Sequence, residues 1–235
     1  MKSRLFLEIE KELKKNVDLG YKAGAERYFK EKRIIYGART PIVRKISAKY
    51  FKRVKGLDKE EIFKLCEELL ILGYEEYRMI AFDWADRVKK DYRKSDFNTF
   101  EKWLKKYVSN WAACDVFCTR AFGRLLVQYP ELVPRVKKWT NSKNRWLRRA
   151  SAVILIPLVK EKKYLRHAFW TADKLLMDSD DLVQKGYGWM LKVTSDFHQK
   201  QVFDYVMSQK HRMPRTALRY AIEKMPKDLK QRAMS

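Results

Sequence analysis

Apolar residues recur at steps of three and four along nearly the whole chain, and the resulting amphipathic segments come in pairs. A first segment such as KEEIFKLCEELLIL, FNTFEKWLKKYV, ELVPRVKKW, the run 164–177 or FHQKQVFDYVMS is followed by a short polar break and a second segment. The second members are EEYRMIAFDWADRV, CDVFCTRAFGRLLV, RWLRRASAVILIPLV, DLVQKGYGWMLKV and PRTALRYAIEKM. Counted from Tyr77, Asp115, Trp146, Leu182 and Met213, their starts step by 38, 31, 36 and 31 residues, the loose period of a helical-hairpin solenoid. One hairpin cannot bury its own apolar face, so stacking must do it, leaving one helix of each pair on an inner, concave side. Val/Ile/Thr-rich alternation is missing. The expected fold is all-α, a single repeat domain over residues 1–235, with N-terminal helices to about residue 50 and tandem hairpins over about 51–230.

Charge sets the partner class. Lys and Arg number 53 against 29 Asp and Glu, a formal net charge of +24, far more than solubility requires. Nucleic acid is the leading partner. The second segments carry basic or small residues near their starts: Arg78, Thr119 and Arg120, Arg148 and Arg149, Lys185, Arg215 and Thr216. On a concave face these would form a repeat-spaced basic stripe able to track a phosphate backbone. No membrane role is expected, since the longest apolar stretch (AVILIPLV, 152–159) has eight residues and contains Pro157. The start MKSRLFLEIEKELKKN lacks the apolar centre of a signal peptide, which makes the expected location cytoplasmic, on the nucleoid in a prokaryote. Cys66, Cys114 and Cys118 form no C-x-x-C, and His167, His198 and His211 show no ligand spacing. Cys114 and Cys118 share a helix face that ligands could use, but small buried thiols are the expected reading, so no metal, cofactor or disulfide framework is expected.

The first fifty residues differ in texture. A basic helix over about 2–15 precedes DLGYKAGAERYFKEKR, which places Tyr21, Ala25, Tyr28 and Phe29 on one face with Lys22, Lys30 and Arg33 around it. In YGARTPIVRKI, Thr40-Pro41 signals a helix start with Thr as N-cap and Pro first in the helix, a place whose free N–H groups suit either capping or a phosphate.

The chain has no Ser/His/Asp signature and no Gly-rich phosphate loop. Chemistry would rest on one carboxylate and aromatic faces. Trp111 and Asp115 lie one helical turn apart in NWAACDVF and project from one face. An unpaired Asp beside exposed indoles can stabilise an oxocarbenium-like sugar and orient water as a glycosidic bond breaks. Taken from composition alone, Trp111 reads as a core residue more readily than as a catalytic surface, and Trp189 calls for the same caution. Gly186 and Gly188, flanking Tyr187 in GYGWMLK, mark a close approach by another backbone or a ligand.

Taken together, ARTP at 38–41, the Trp-x-x-x-Asp of NWAACD, WLRRA at 146–150 and VQKGYGWMLK at 183–192 resemble the AlkD-type alkylpurine DNA glycosylases, a HEAT-like repeat family, in order and spacing from about residue 20 to the C-terminal hairpin. The resemblance implies monofunctional excision of N3- and N7-alkylated purines from duplex DNA, with the lesion contacted through its deoxyribose. It implies Asp115 as the catalytic carboxylate, Trp111 and Trp189 as the aromatic pair flanking the sugar, and Arg149 as the arginine of the cleft, near phosphate. Tyr28 and Arg39-Thr40-Pro41 match the duplex-engaging N-terminal helices, and Arg148, Lys185 and Lys192 are further expected DNA contacts. The protein is expected to act as a monomer. Two departures stand out: Arg39 where the family commonly has Gln, and Asn110 where a second aromatic often precedes the Trp. A non-catalytic binder of branched or distorted DNA, a protein-interaction solenoid and an RNA ligand are the alternatives.

Overall fold

The computed structural model describes residues 4–235, so the expected helix start at residue 2 lies outside the described residues. Among these residues there is no strand, only two isolated bridges. The chain packs as two compact units: one runs to Arg93 and includes Lys106–Ala113, and the other comprises Lys94–Lys105 and Cys114–Ser235.

The first unit holds α1 (Arg4–Lys15), α2 (Leu19–Tyr28), α3 (Thr40–Val54), α4 (Lys59–Ile71) and α5 (Glu75–Arg87). Phe6, Ile9 and Leu13 recur at three and four residues and bury the inner stripe of α1 against α3. At the start of α4 the Asp58 side chain accepts from the Glu61 N–H at 2.8 Å while Glu61 reaches back to the Asp58 N–H, a capping box of the kind that Asp-x-x-Glu announces. The helices α4 and α5 form the first of the expected hairpins. α5 is buried on most of its circumference, and Trp84 within it donates to the Ser47 carbonyl of α3 at 3.1 Å. In contrast, α2 has no buried residue at all.

Two further helices straddle the boundary: α6 (Asp96–Tyr107) and α7 (Trp111–Thr119). The second unit continues with α8 (Ala121–Gln128), α9 (Val133–Lys137), α10 (Arg145–Val153), α11 (Leu165–Leu175), α12 (Asp181–Gln209), α13 (Arg215–Ile222) and α14 (Lys227–Met234). Its core opens on an aromatic cluster of Phe97, Phe100, Trp103, Phe117, Phe122 and Trp139, with neighbouring centroids mostly 5–6 Å apart, and continues where α12 packs on α10, α11 and α13.

Several boundaries depart from expectation. The segment 114–127 is two helices, broken at Arg120 (φ −113°, ψ −104°), where the Thr119 hydroxyl donates to the Asp115 carbonyl at 2.7 Å and relieves the end of α7. α10 stops at Val153 and residues 154–160 run in turns, because Pro157 supplies no N–H and disfavours a helical Ile156. The last two pairs are joined through α12, whose backbone leaves the helix at His198 (φ −139°, ψ 51°). Arg39, not Thr40, is the N-cap of α3. Thr40 and Pro41 are the first two helical residues, and no side chain caps that end.

Candidate active site

In the second unit Asp115 meets Arg149. Asp115 sits in the middle of α7, and Arg149 lies in α10, whose start is set by the Asn144 side chain accepting from the Trp146 N–H at 2.8 Å. Arg149 Nε donates to Asp115 Oδ1 at 2.8 Å and Nη2 donates to Oδ2 at 2.7 Å, a bidentate pair. The remaining terminal nitrogen, Nη1, donates to the Leu182 carbonyl in the first turn of α12. The two side chains are 6% and 14% exposed, so the arginine is enclosed while the carboxylate keeps an opening to solvent. Burial pushes the Asp115 carboxyl up, and the Arg149 hydrogen bonds and charge pull it only part of the way back. For Arg149 burial works against the charge, and Asp115 more than offsets it, holding the guanidinium pKa above its ordinary value. The carboxylate expected to be unpaired is therefore paired, and the arginine expected at phosphate is tied within the chain at three nitrogens.

α12 makes room for this pair. A Cβ on Gly186 would lie 3.0 Å from Arg149 Cγ and 3.5 Å from Nη1, so the bare backbone there seats the arginine stem. At Gly188 a Cβ would fall 2.9 Å from the Ala217 carbonyl oxygen and 2.7 Å from Tyr220 Cβ, which is the close backbone approach of α13 that the sequence anticipates. Leu182, Gly186 and Trp189 follow at i, i+4 and i+7 on one stripe of α12, and Trp189 is half-buried.

In the first unit Trp111, also half-buried, belongs to an aromatic group from the end of α2. Phe29 stacks on it with centroids 5.3 Å apart and planes at 10°, and Tyr28 stands edge-on at 6.2 Å. Tyr28 itself is 70% exposed. Arg33 lies over the Phe29 ring, its guanidinium carbon 3.7 Å from the centroid. Trp111 and Asp115 share α7, one turn apart.

The other expected DNA contacts are already engaged. Arg148 is bonded to both oxygens of Asp178 (2.7 and 3.3 Å) and to the Ser142 and Lys143 carbonyls. Lys185 pairs with Asp181 at 3.0 Å and Lys192 with Glu223 at 2.9 Å. Arg78 is buried against Glu75, and Arg215 donates to the Met234 carbonyl. The basic stripe is thus largely a set of internal bonds. Arg39 is exposed, pairs with Asp18 at 2.8 Å and lies 5.6 Å from the Tyr21 centroid, and Thr40 and Pro41 sit beside it at the open start of α3.

Asn110 is more than a departure from a pattern. Wholly buried, it is the N-cap of α7: its Oδ1 accepts from the Ala113 N–H at 2.9 Å and its Nδ2 donates to Glu75 Oε1 at 2.7 Å. An Asn directly before a helix start is a capping signal in its own right, whereas nothing local marked Glu75 or Arg33. Cys66, Cys114 and Cys118 are free, buried thiols, and among the described residues no group of three His, Cys, Asp or Glu could hold a metal ion.

A family model for DNA alkylation repair enzymes matches residues 9–225. A solved structure described as a predicted DNA alkylation repair enzyme from Enterococcus faecalis is similar with a TM-score of 0.81 at 18% identity, over 90% of this chain and 98% of that one. The crystal structure of smu.31 from Streptococcus mutans UA159 is similar with a TM-score of 0.59 at 20% identity, over 79% of this chain and 97% of that one. These likenesses show the fold. No curated protein matches the chain. The match over residues 9–225 is decisive: the chain belongs to the DNA alkylation repair enzyme family.

Proposed function

We propose that this DNA repair enzyme is a monofunctional glycosylase that excises N3- and N7-alkylated purines from duplex DNA. The observation that carries the proposal is the Asp115–Arg149 pair: a bidentate arginine holds a buried carboxylate ionised and oriented while leaving it 14% exposed. Such a fixed negative charge attracts the cationic sugar that forms as the N-glycosidic bond breaks, and it pays no reorganisation when that charge appears. Arg149 occupies one lone pair on each oxygen, which leaves others to orient the attacking water. Trp111, one turn earlier on α7, and Trp189 on α12 supply indole faces for the sugar. A cationic purine leaves readily, so the scheme needs no second acid, no Schiff-base lysine and no cofactor. The charge of +24 suits a polyanion, and the enzyme is proposed to act as a monomer in the cytoplasm, on the nucleoid in a prokaryote.

Release of 7-methylguanine and 3-methyladenine from modified duplexes, measured under single-turnover conditions, tests the proposal. Tight binding of the same duplexes with no base released would overturn it in favour of a non-catalytic DNA binder.

A further inference from the structure

Glu75 lies at the first position of α5, buried, with its Oε1 as the meeting point of two hydrogen-bond donors and one further cation. Asn110 Nδ2 reaches it at 2.7 Å, Arg78 Nη1 donates to it, and Arg33 Nε stands 3.4 Å away at ion-pair distance without forming a hydrogen bond. Two guanidiniums on one carboxylate leave an excess positive charge among side chains only 8–12% exposed. The π-face of Phe29, 3.7 Å from Arg33, takes up that excess. Phe29 in turn lies parallel on Trp111.

A second route runs from the same oxygen. The Asn110 side chain can cap α7 only if its carbonyl faces the Ala113 N–H, and the bond from Nδ2 to Glu75 is what selects that orientation over the flipped one. Glu75 therefore reaches Trp111 twice: through Asn110, which fixes the backbone from which the indole springs, and through Arg33 and Phe29, which fix the plane of the ring.

We propose that Glu75 is a positioning residue for Trp111, setting both the start of α7 and the plane of its indole. Because Phe29 already covers one face of Trp111, a sugar has only the opposite face to meet, and the Glu75 network decides where that face lies. The value of this for excision rests on the role given to Trp111 above.

The test uses the full chain labelled with 5-fluorotryptophan, whose seven indoles give separate ¹⁹F signals, with that of Trp111 assigned from Trp111→Phe. In Glu75→Gln the Trp111 signal is expected to shift or broaden while the other six hold their positions, and single-turnover release of 7-methylguanine is expected to fall on the order of 10²-fold, the scale of a ring displaced by about 1 Å. If Glu75→Gln does not fold, Arg33→Met leaves Glu75 neutralised by Arg78, removes the cation over Phe29 and carries the same two readouts. An unmoved Trp111 signal overturns the proposal whatever the activity, as does a moved signal with release within two-fold of wild type. A moved signal in a protein whose wild type releases no base supports Glu75 as the residue that sets the indole and overturns only the excision role.

Discussion

Arg149 grips Asp115 with two parallel hydrogen bonds of 2.8 and 2.7 Å, and its third nitrogen, Nη1, donates to the Leu182 carbonyl. α7, α10 and α12 thus meet on one guanidinium. A carboxylate held this way cannot swing to a different partner without breaking a buried ion pair, which is the physical content of calling it preorganised.

Asp115→Asn keeps the shape of the side chain and removes its charge. Single-turnover release of 7-methylguanine is expected to fall by about 10²–10³, the usual loss for one electrostatic group. Duplex binding should persist, and the melting temperature reports the cost of leaving Arg149 without a counter-charge. Release near the wild-type rate would remove Asp115 from the mechanism.

Arg149→Ala strands a buried carboxylate. Removing one partner of an enclosed pair typically costs about 3–5 kcal/mol, so a clear drop in melting temperature should accompany loss of release. An arginine that only touched phosphate would leave stability unchanged and weaken DNA binding, and that pattern would show the guanidinium acting elsewhere.

Gly186 and Gly188 separate fold from geometry. Gly188→Ala drives a methyl into the backbone of α13 and should destabilise by about 1–3 kcal/mol. Gly186→Ala meets the flexible stem of Arg149 at 3.0 Å and gains up to about 1 kcal/mol of helix propensity, so the fold should hold while release falls roughly 10-fold or more as the pair is displaced. Thermal melts beside release rates decide it, and full activity in Gly186→Ala would show that the arginine accommodates the methyl.

Binding should weaken steeply with salt. Each phosphate contact contributes a slope of about −0.9 in log affinity against log salt, and the charge of +24 favours several such contacts. Arg148→Ala, which breaks internal bonds to Asp178, should lower stability more than it lowers this slope. A slope near zero for the wild type would dismiss a polyanion as the partner.

The pairing of helices was legible because amphipathic stripes such as Phe6, Ile9 and Leu13 follow from burial alone, and the family motifs placed Trp111, Asp115, Arg149 and Trp189 on helices as expected. The kink at His198 had no Gly or Pro to announce it, whereas Gly123, whose missing side chain makes room for the Cys118 carbonyl, and Pro157 were the available signals for the break at Arg120 and the end of α10, and the expected segments ran through both. Polar cross-links were the main thing missed, although they follow a rule. Asn110–Glu75, Arg149–Asp115, Arg145–Asp180, Arg148–Asp178 and Lys192–Glu223 are separated by 35, 34, 35, 30 and 31 residues, about one repeat. Stacked hairpins bring equivalent positions together, so opposite charges one period apart were the available signal. No local pattern contains it.

The pH profile of release should carry the signature of Asp115. Burial raises the carboxyl above the ordinary aspartate value of 3.8, with Arg149 pulling it part of the way down, so the ionised form that the reaction needs is lost on the acid side sooner than for an exposed aspartate. The sign for stability runs the other way. A carboxyl that binds its proton more tightly folded than unfolded favours the fold as pH falls through its raised pKa, so at this residue the loss of release is not a loss of structure. Release rates across the acid range, with circular dichroism on the same samples, are expected to show an acid limb centred above 3.8 while the helical signal persists. Asp115→Asn should show no such limb in its residual activity. An acid limb retained in that variant, or one that tracks the loss of helix, would assign the titration to another group.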